Sequence, residues 1–164
     1  MDKYSSNLDA TTLDRYKKKL SIIGLDECPY CVRKPSLVDD VTSWPPVDWP
    51  QVNEYLINSI GQFTNSALKA YKSLEAYKYF SDGWVQTIWT VQSTLSSRLV
   101  VVIADVMPSQ RTTEKPHKAW LGIRKDGTVV AAHCNCMAGL VLICSCKSSK
   151  WLVILAGNYF TAPV

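Results

Sequence analysis

Residues 119–134 read Ala-Trp-Leu-Gly-Ile-Arg-Lys-Asp-Gly-Thr-Val-Val-Ala-Ala-His-Cys, and this stretch decides the fold. Two runs rich in β-branched and apolar residues, Ala119 to Arg124 and Thr128 to Cys134, flank Lys125-Asp126-Gly127. Asp-Gly supplies positive φ at little steric cost, so the stretch predicts a β-hairpin. Upstream, Val85 to Gln92 and Leu99 to Met107 are similar runs separated by a Ser/Thr-rich segment, which predicts a second hairpin. About four antiparallel strands are therefore expected after Gly83.

Before Gly83 the period changes from two to 3.6. Leu13, Tyr16 and Leu20 recur at helical spacing, with Asp9 or Thr11 as cap and Gly24 as stop, so a helix is expected over 9–23. Residues 26–50 carry Pro29, Pro35, Pro45, Pro46 and Pro50, a density that points to a loop. A second helix is expected from Trp49-Pro50, with Val52, Tyr55, Leu56 and Ser59 as its stripe. A third is expected from Thr64 to about Phe80, with Leu68, Tyr71, Leu74 and Tyr77 on one face. Helices followed by an antiparallel sheet make the expected class α+β. The expected divisions are a helical region over 1–83, the sheet over 84–133 and a cysteine-rich segment over 134–164.

Composition bounds the function. The chain has 164 residues, 47% hydrophobic and 20% charged, enough apolar material for a core. Residues 1–60 carry a net charge of −2 and residues 61–164 a net charge of +6, compatible with nucleic acid without requiring it. No Lys/Arg run of five occurs, and an ordinary solvated basic face is the plainer reading. Met1-Asp2-Lys3-Tyr4 opens no apolar leader, and the longest apolar run, Met137 to Cys144, is short for a membrane span. An intracellular, soluble protein is expected, nuclear or cytoplasmic. In that setting six cysteines read as thiols or metal ligands rather than disulfides.

Four of the cysteines form two doublets, Cys134-Asn135-Cys136 and Cys144-Ser145-Cys146. In extended chain, residues i and i+2 share a face, so each doublet presents two sulfurs in one direction. Four thiolates make a closed tetrahedral zinc site. Soft sulfur selects zinc or an iron–sulfur cluster over magnesium or calcium. Small buried apolar thiols are the competing reading.

The stretch His133-Cys134-Asn135-Cys136-Met137-Ala138-Gly139-Leu140, followed by Cys144-Ser145, resembles the SWIM-type zinc finger, whose pattern is Cys-x-Cys, a spacer, then Cys-x-His. Lys72 to Tyr77, Ser81 to Val85, Ser109-Gln110-Arg111 with Lys115-Pro116, and Ala131 to Cys134 resemble the branch of that family that can precede a YqaJ-like viral recombinase nuclease domain. The resemblance runs from about Leu13 to Ser145. It implies that Cys134, Cys136 and Cys144 are the first three zinc ligands, with Cys146 standing where the family has His. It also implies a DNA- or protein-binding module without catalysis of its own. The family continues into an apolar helix, whereas Lys147-Ser148-Ser149-Lys150 follows here. Residues 141–150 can be encoded so that the frame one base later reads Cys-Ser-Tyr-Val-Ala-Ala-Asn-Leu-Leu, which is similar to the family's finger and helix. On that alternative, Cys144 and Cys146 are accidental and the chain is a truncated remnant that binds no metal.

Other candidates carry less. Cys28-Pro29-Tyr30-Cys31 has Cys-x-x-Cys spacing without a βαβ context or a second half-site, and reads as two unrelated thiols. His133 adjoins the first expected ligand, but strand neighbours point to opposite faces, so a supporting role is expected of it; His117 reads as a surface strand residue. Trp44-Pro45-Pro46 and Trp49-Pro50 read as a staple holding the loop to the helices, with an aromatic platform for bases or peptides as the alternative. No Asp-x-Lys or Glu-x-Lys occurs, and neither histidine has Glu two residues later, so nuclease and zinc-deaminase chemistries find no support.

Overall fold

The computed structural model describes residues 4–25, 28–39, 42, 44–48, 50, 51, 54, 55, 85–94, 98–107 and 115–136. The expected third helix, Cys144 and Cys146 lie outside these residues, as does most of the second helix.

Helix α1 spans Ala10–Ile23. Its boundaries follow from its sequence. Asp9 is extended and its side chain accepts hydrogen bonds from Thr11 N and Thr12 N, satisfying two first-turn donors. Gly24 closes the helix in the left-handed conformation at φ 63°, where other residues are disfavoured. Tyr16 and Ile23 form the buried face.

The α+β class is as expected: α1 is followed by an antiparallel sheet in the order β1-β2-β3-β4-β5. The strands are β1 Leu37–Val38, β2 Val85–Val91, β3 Leu99–Val106, β4 His117–Arg124 and β5 Val129–Cys134. Five strands are present among the described residues where about four were expected. The extra one, β1, sits inside the Pro-rich segment and pairs Leu37 with Val91 and Val38 with Thr90. Two residues between prolines can pair there because β1 is an edge strand and needs only one hydrogen-bonded side. The same segment also holds 3-10 turns at Pro29–Cys31 and Lys34–Ser36. Pro50, Gln51, Glu54 and Tyr55 are helical, consistent with a helix opening at Pro50.

The β4–β5 turn uses glycine as the sequence implied. Gly127 N–H bonds to Arg124 O, Arg124 N–H bonds to Thr128 O, and Gly127 alone in the turn takes positive φ, 87°. Asp126 Oδ1 accepts from Thr128 N–H and locks the corner. The β2 end is fixed by Thr94, whose hydroxyl donates to Val91 O and accepts from Val101 N–H.

The sheet is covered on both faces, so its inner strands are nearly continuous in apolar residues. On one face Val101, Ile103, Trp120 and Ala131 pack with Tyr16 and Ile23 of α1. On the other, Val100, Val102, Ala104, Leu121 and Ile123 pack with Trp44 and Val47 of the Pro-rich loop. Trp44 therefore holds that loop to the sheet, with Tyr55 packed against the same cluster, and its indole N–H donates to buried Thr90 Oγ1. The reason is the partner: a buried indole needs an acceptor, and the sheet supplies one.

Candidate functional site

Two groups of chemistry-bearing side chains sit at the His133–Cys136 end of β5, on opposite faces. Their separation follows from the two-residue period of a strand. A bulge in the β4–β5 pairing between Gly122 and Ile123 sets the phase, so that Ala131 and His133 face α1 while Ala132 and Cys134 face the other way.

The first group is the thiol doublet. Cys134 and Cys136 are 2% and 4% exposed and belong to the same apolar cluster. Cys136 lies past the end of β5, in a bend, and its side chain joins the same apolar cluster as that of Cys134. Cys136 N–H donates to Cys134 Sγ at 3.4 Å. The chain at this point is held by Asn135, whose N–H bonds to Lys118 O and whose Oδ1 accepts from Lys118 N–H at 2.8 Å. None of the four described cysteines is in a disulfide. Among the described residues no three His, Cys, Asp or Glu side chains converge as a metal-binding group. Cys28, Cys31, His117 and His133 do not complete a site with the doublet. Cys28 is buried and Cys31 exposed, as two unrelated thiols would be. His117 pairs with Val106 in β4 and is half-buried.

The second group is aromatic. Tyr4, Tyr16, Tyr30 and His133 pack ring to ring, with Trp120 beneath Tyr16 and His133. Tyr4 hydroxyl shares a 2.7 Å hydrogen bond with His133 Nε2. Tyr16 hydroxyl shares one of 2.9 Å with Cys28 Sγ. Burial, and then the neighbouring Lys19 charge, pushes the His133 imidazole down to about 3, so it is neutral at pH 7. Burial, followed by the Cys28 contact, holds the Tyr16 phenol well above its ordinary value. Lys19 donates to Ala132 O at 2.8 Å, and burial, then Arg15, lowers its ammonium to about 8.

The chain matches no family model, no curated protein and no solved structure.

The aromatic group was not legible beforehand. Tyr16 read correctly as part of a helical stripe, but Tyr4 and His133 are 129 positions apart and no local spacing links them. The one available signal was the excess of tyrosine, eight residues against three Phe.

Proposed function

We propose that this protein is a SWIM-like zinc-binding module, acting in DNA or protein binding and not in catalysis. Cys134 and Cys136 would supply two thiolates to one zinc ion, and Cys144 and Cys146 the other two. The observation that supports this reading is the shared burial of Cys134 and Cys136 with the Cys136 N–H···Sγ contact. Bound zinc would tie the chain beyond β5 to the sheet and contribute folding free energy on the order of 10 kcal/mol. The +6 charge of residues 61–164 favours an acidic partner such as DNA.

Elemental analysis of the purified full chain tests the proposal. About one zinc per chain supports it, with loss of that zinc in a Cys134→Ser, Cys136→Ser double variant. Metal-free protein that stays metal-free on zinc addition rejects it and leaves the truncated remnant as the reading. If zinc is present, a DNA titration across salt concentrations tests the partner: affinity that falls steeply with salt supports DNA.

A further inference from the structure

Cys28 and Cys31 open and close one 3-10 turn. Cys28 is its N-terminal cap, Pro29 follows, and Cys31 N–H bonds to Cys28 O at 2.8 Å. A turn closed from residue i to i+3 holds its end Cα atoms less than about 7 Å apart. A disulfide spans Cα separations of about 4.4–6.8 Å, so the turn brings the two residues to bridging range. Pro29 fixes φ beside Cys28 and stiffens the turn at that spacing. Both cysteines are free thiols in the structure.

The two sulfurs differ in their surroundings. Cys31 is exposed. Cys28 is 5% exposed, packs in the cluster of Tyr16 and Trp120, and shares a 2.9 Å hydrogen bond between its Sγ and the Tyr16 hydroxyl. Unlike exposure is what thiol–disulfide exchange asks of a pair. One sulfur meets the reagent, and a shielded neighbour resolves the adduct. Burial, followed by the Cys28 contact, keeps the Tyr16 phenol protonated, so its hydroxyl can donate to the Cys28 sulfur as the thiolate forms.

We infer that Cys31 and Cys28 form a reversible redox pair, in which Cys31 takes up a small-molecule disulfide of the glutathione class and Cys28 resolves the adduct to an internal Cys28–Cys31 disulfide. The Cys31 thiolate attacks one sulfur of the reagent, the reagent's S–S bond breaks, and the first thiolate leaves. The Cys28 thiolate then attacks the Cys31 sulfur of the mixed disulfide and expels the second. The protons of Cys28 and Cys31 end on the two released thiols, so one disulfide is reduced for each one formed. To reach Cys31, Cys28 Sγ turns away from Tyr16, whose hydroxyl then loses its sulfur partner. Tyr16 belongs to α1 and packs on Trp120 and His133 of the sheet, so the redox state of the turn reaches the helix–sheet contact. The pair does not rest on zinc: Cys28 packs on the α1 face of the sheet, and Cys134 and Cys136 on the other.

Trypsin cuts after Lys19 and Arg33, and the peptide from Leu20 to Arg33 contains Cys28 and Cys31 and no other cysteine. The full chain is equilibrated in buffers of rising oxidised-to-reduced glutathione ratio, quenched with acid, alkylated, digested and weighed by mass spectrometry. As the ratio rises, this peptide should escape alkylation and lose the mass of two hydrogens, and dithiothreitol should restore both thiols. Cys28→Ser should instead accumulate glutathione on Cys31, and Cys31→Ser should leave Cys28 unmodified in the folded chain. Tyr16→Phe removes the partner of the sulfur and keeps the ring. It should raise the equilibrium constant for oxidation about fivefold, as loss of one hydrogen bond from the reduced form implies. Double alkylation of the wild-type peptide at every ratio, glutathione that stays on Cys31 in the wild-type chain, or Cys28 bridged to a cysteine outside the peptide overturns the inference. An equilibrium constant unmoved by Tyr16→Phe overturns the link to the helix.

Discussion

Gly122 of β4 lies directly under Ile23 of α1, so that a side-chain methyl at position 122 would overlap Ile23 Cγ2. The last turn of the helix thus touches the sheet at a site where only hydrogen fits. Packed interiors have little room to adjust, and an inserted methyl costs about 1–3 kcal/mol. Gly122→Ala should lower unfolding free energy by that amount in chemical denaturation. Ile23→Ala in the same chain should recover part of the loss, because the two sites share one contact. Additive losses would mean that the helix does not press on β4 there.

How much of this was readable depends on the range of the interaction. Asp9, Gly24 and Asp126-Gly127 act on neighbours one to four positions away, and the sequence alone located the α1 ends and the β4–β5 turn. Leu37-Val38 was not readable as a strand, because its partners Val91 and Thr90 lie more than fifty positions away and prolines surround it. The same limit applied to Trp44: the need for an acceptor was visible, but Thr90 was not. At the candidate site, strand period suggested one face for Cys134 and Cys136, and they do share a cluster although Cys136 lies in a bend past β5, whereas the Tyr4–His133 contact needs the tertiary fold.

Two glycines with positive φ separate conformational strain from contact. Gly24 has φ 63° and nothing within 4 Å of a would-be Cβ. Gly127 has φ 87°, and a Cβ there would overlap Pro46 O and crowd the Gln51 amide. Gln51 Nε2 also donates to Asp126 O at 2.8 Å, so the turn and the Pro-rich loop are joined at this point. Gly24→Ala should cost only the left-handed penalty, about 1–2 kcal/mol. Gly127→Ala should cost more, and only that variant should perturb amide NMR signals of residues 44–48. Equal costs would place the loop away from the turn.

The buried imidazole gives acid sensitivity of defined sign. His133 titrates near 3 in the folded protein and at its ordinary 6.5 when unfolded. Between those values the unfolded chain binds a proton that the folded chain does not, so stability falls as pH drops from 6.5 toward 3. Above 6.5 the group contributes no slope. Asp9, held below its ordinary 3.8 chiefly by the Thr12 hydroxyl, adds loss of the same sign at lower pH. Denaturation midpoints measured from pH 7 to 4.5 therefore isolate His133, and His133→Gln should flatten the slope there. An unchanged slope would assign the acid sensitivity to other groups.

Cys134 and Cys136 distinguish a ligand pair from a pair of core thiols by their response to chelator. As core residues they are small and apolar, so Cys→Ala at either position should cost about 1 kcal/mol or a little more, and chelator should change nothing. As zinc ligands they hold the metal together with residues beyond β5, and removal of either should abolish tight binding. The wild-type protein should then lose thermal stability in excess EDTA, while Cys134→Ala and Cys136→Ala, already metal-free, should be insensitive to it. Zinc binding also displaces protons from thiols, so the chelator effect should grow weaker as pH falls. A wild-type Tm that EDTA leaves unmoved, in protein shown to contain zinc, would put the metal at a site other than this doublet.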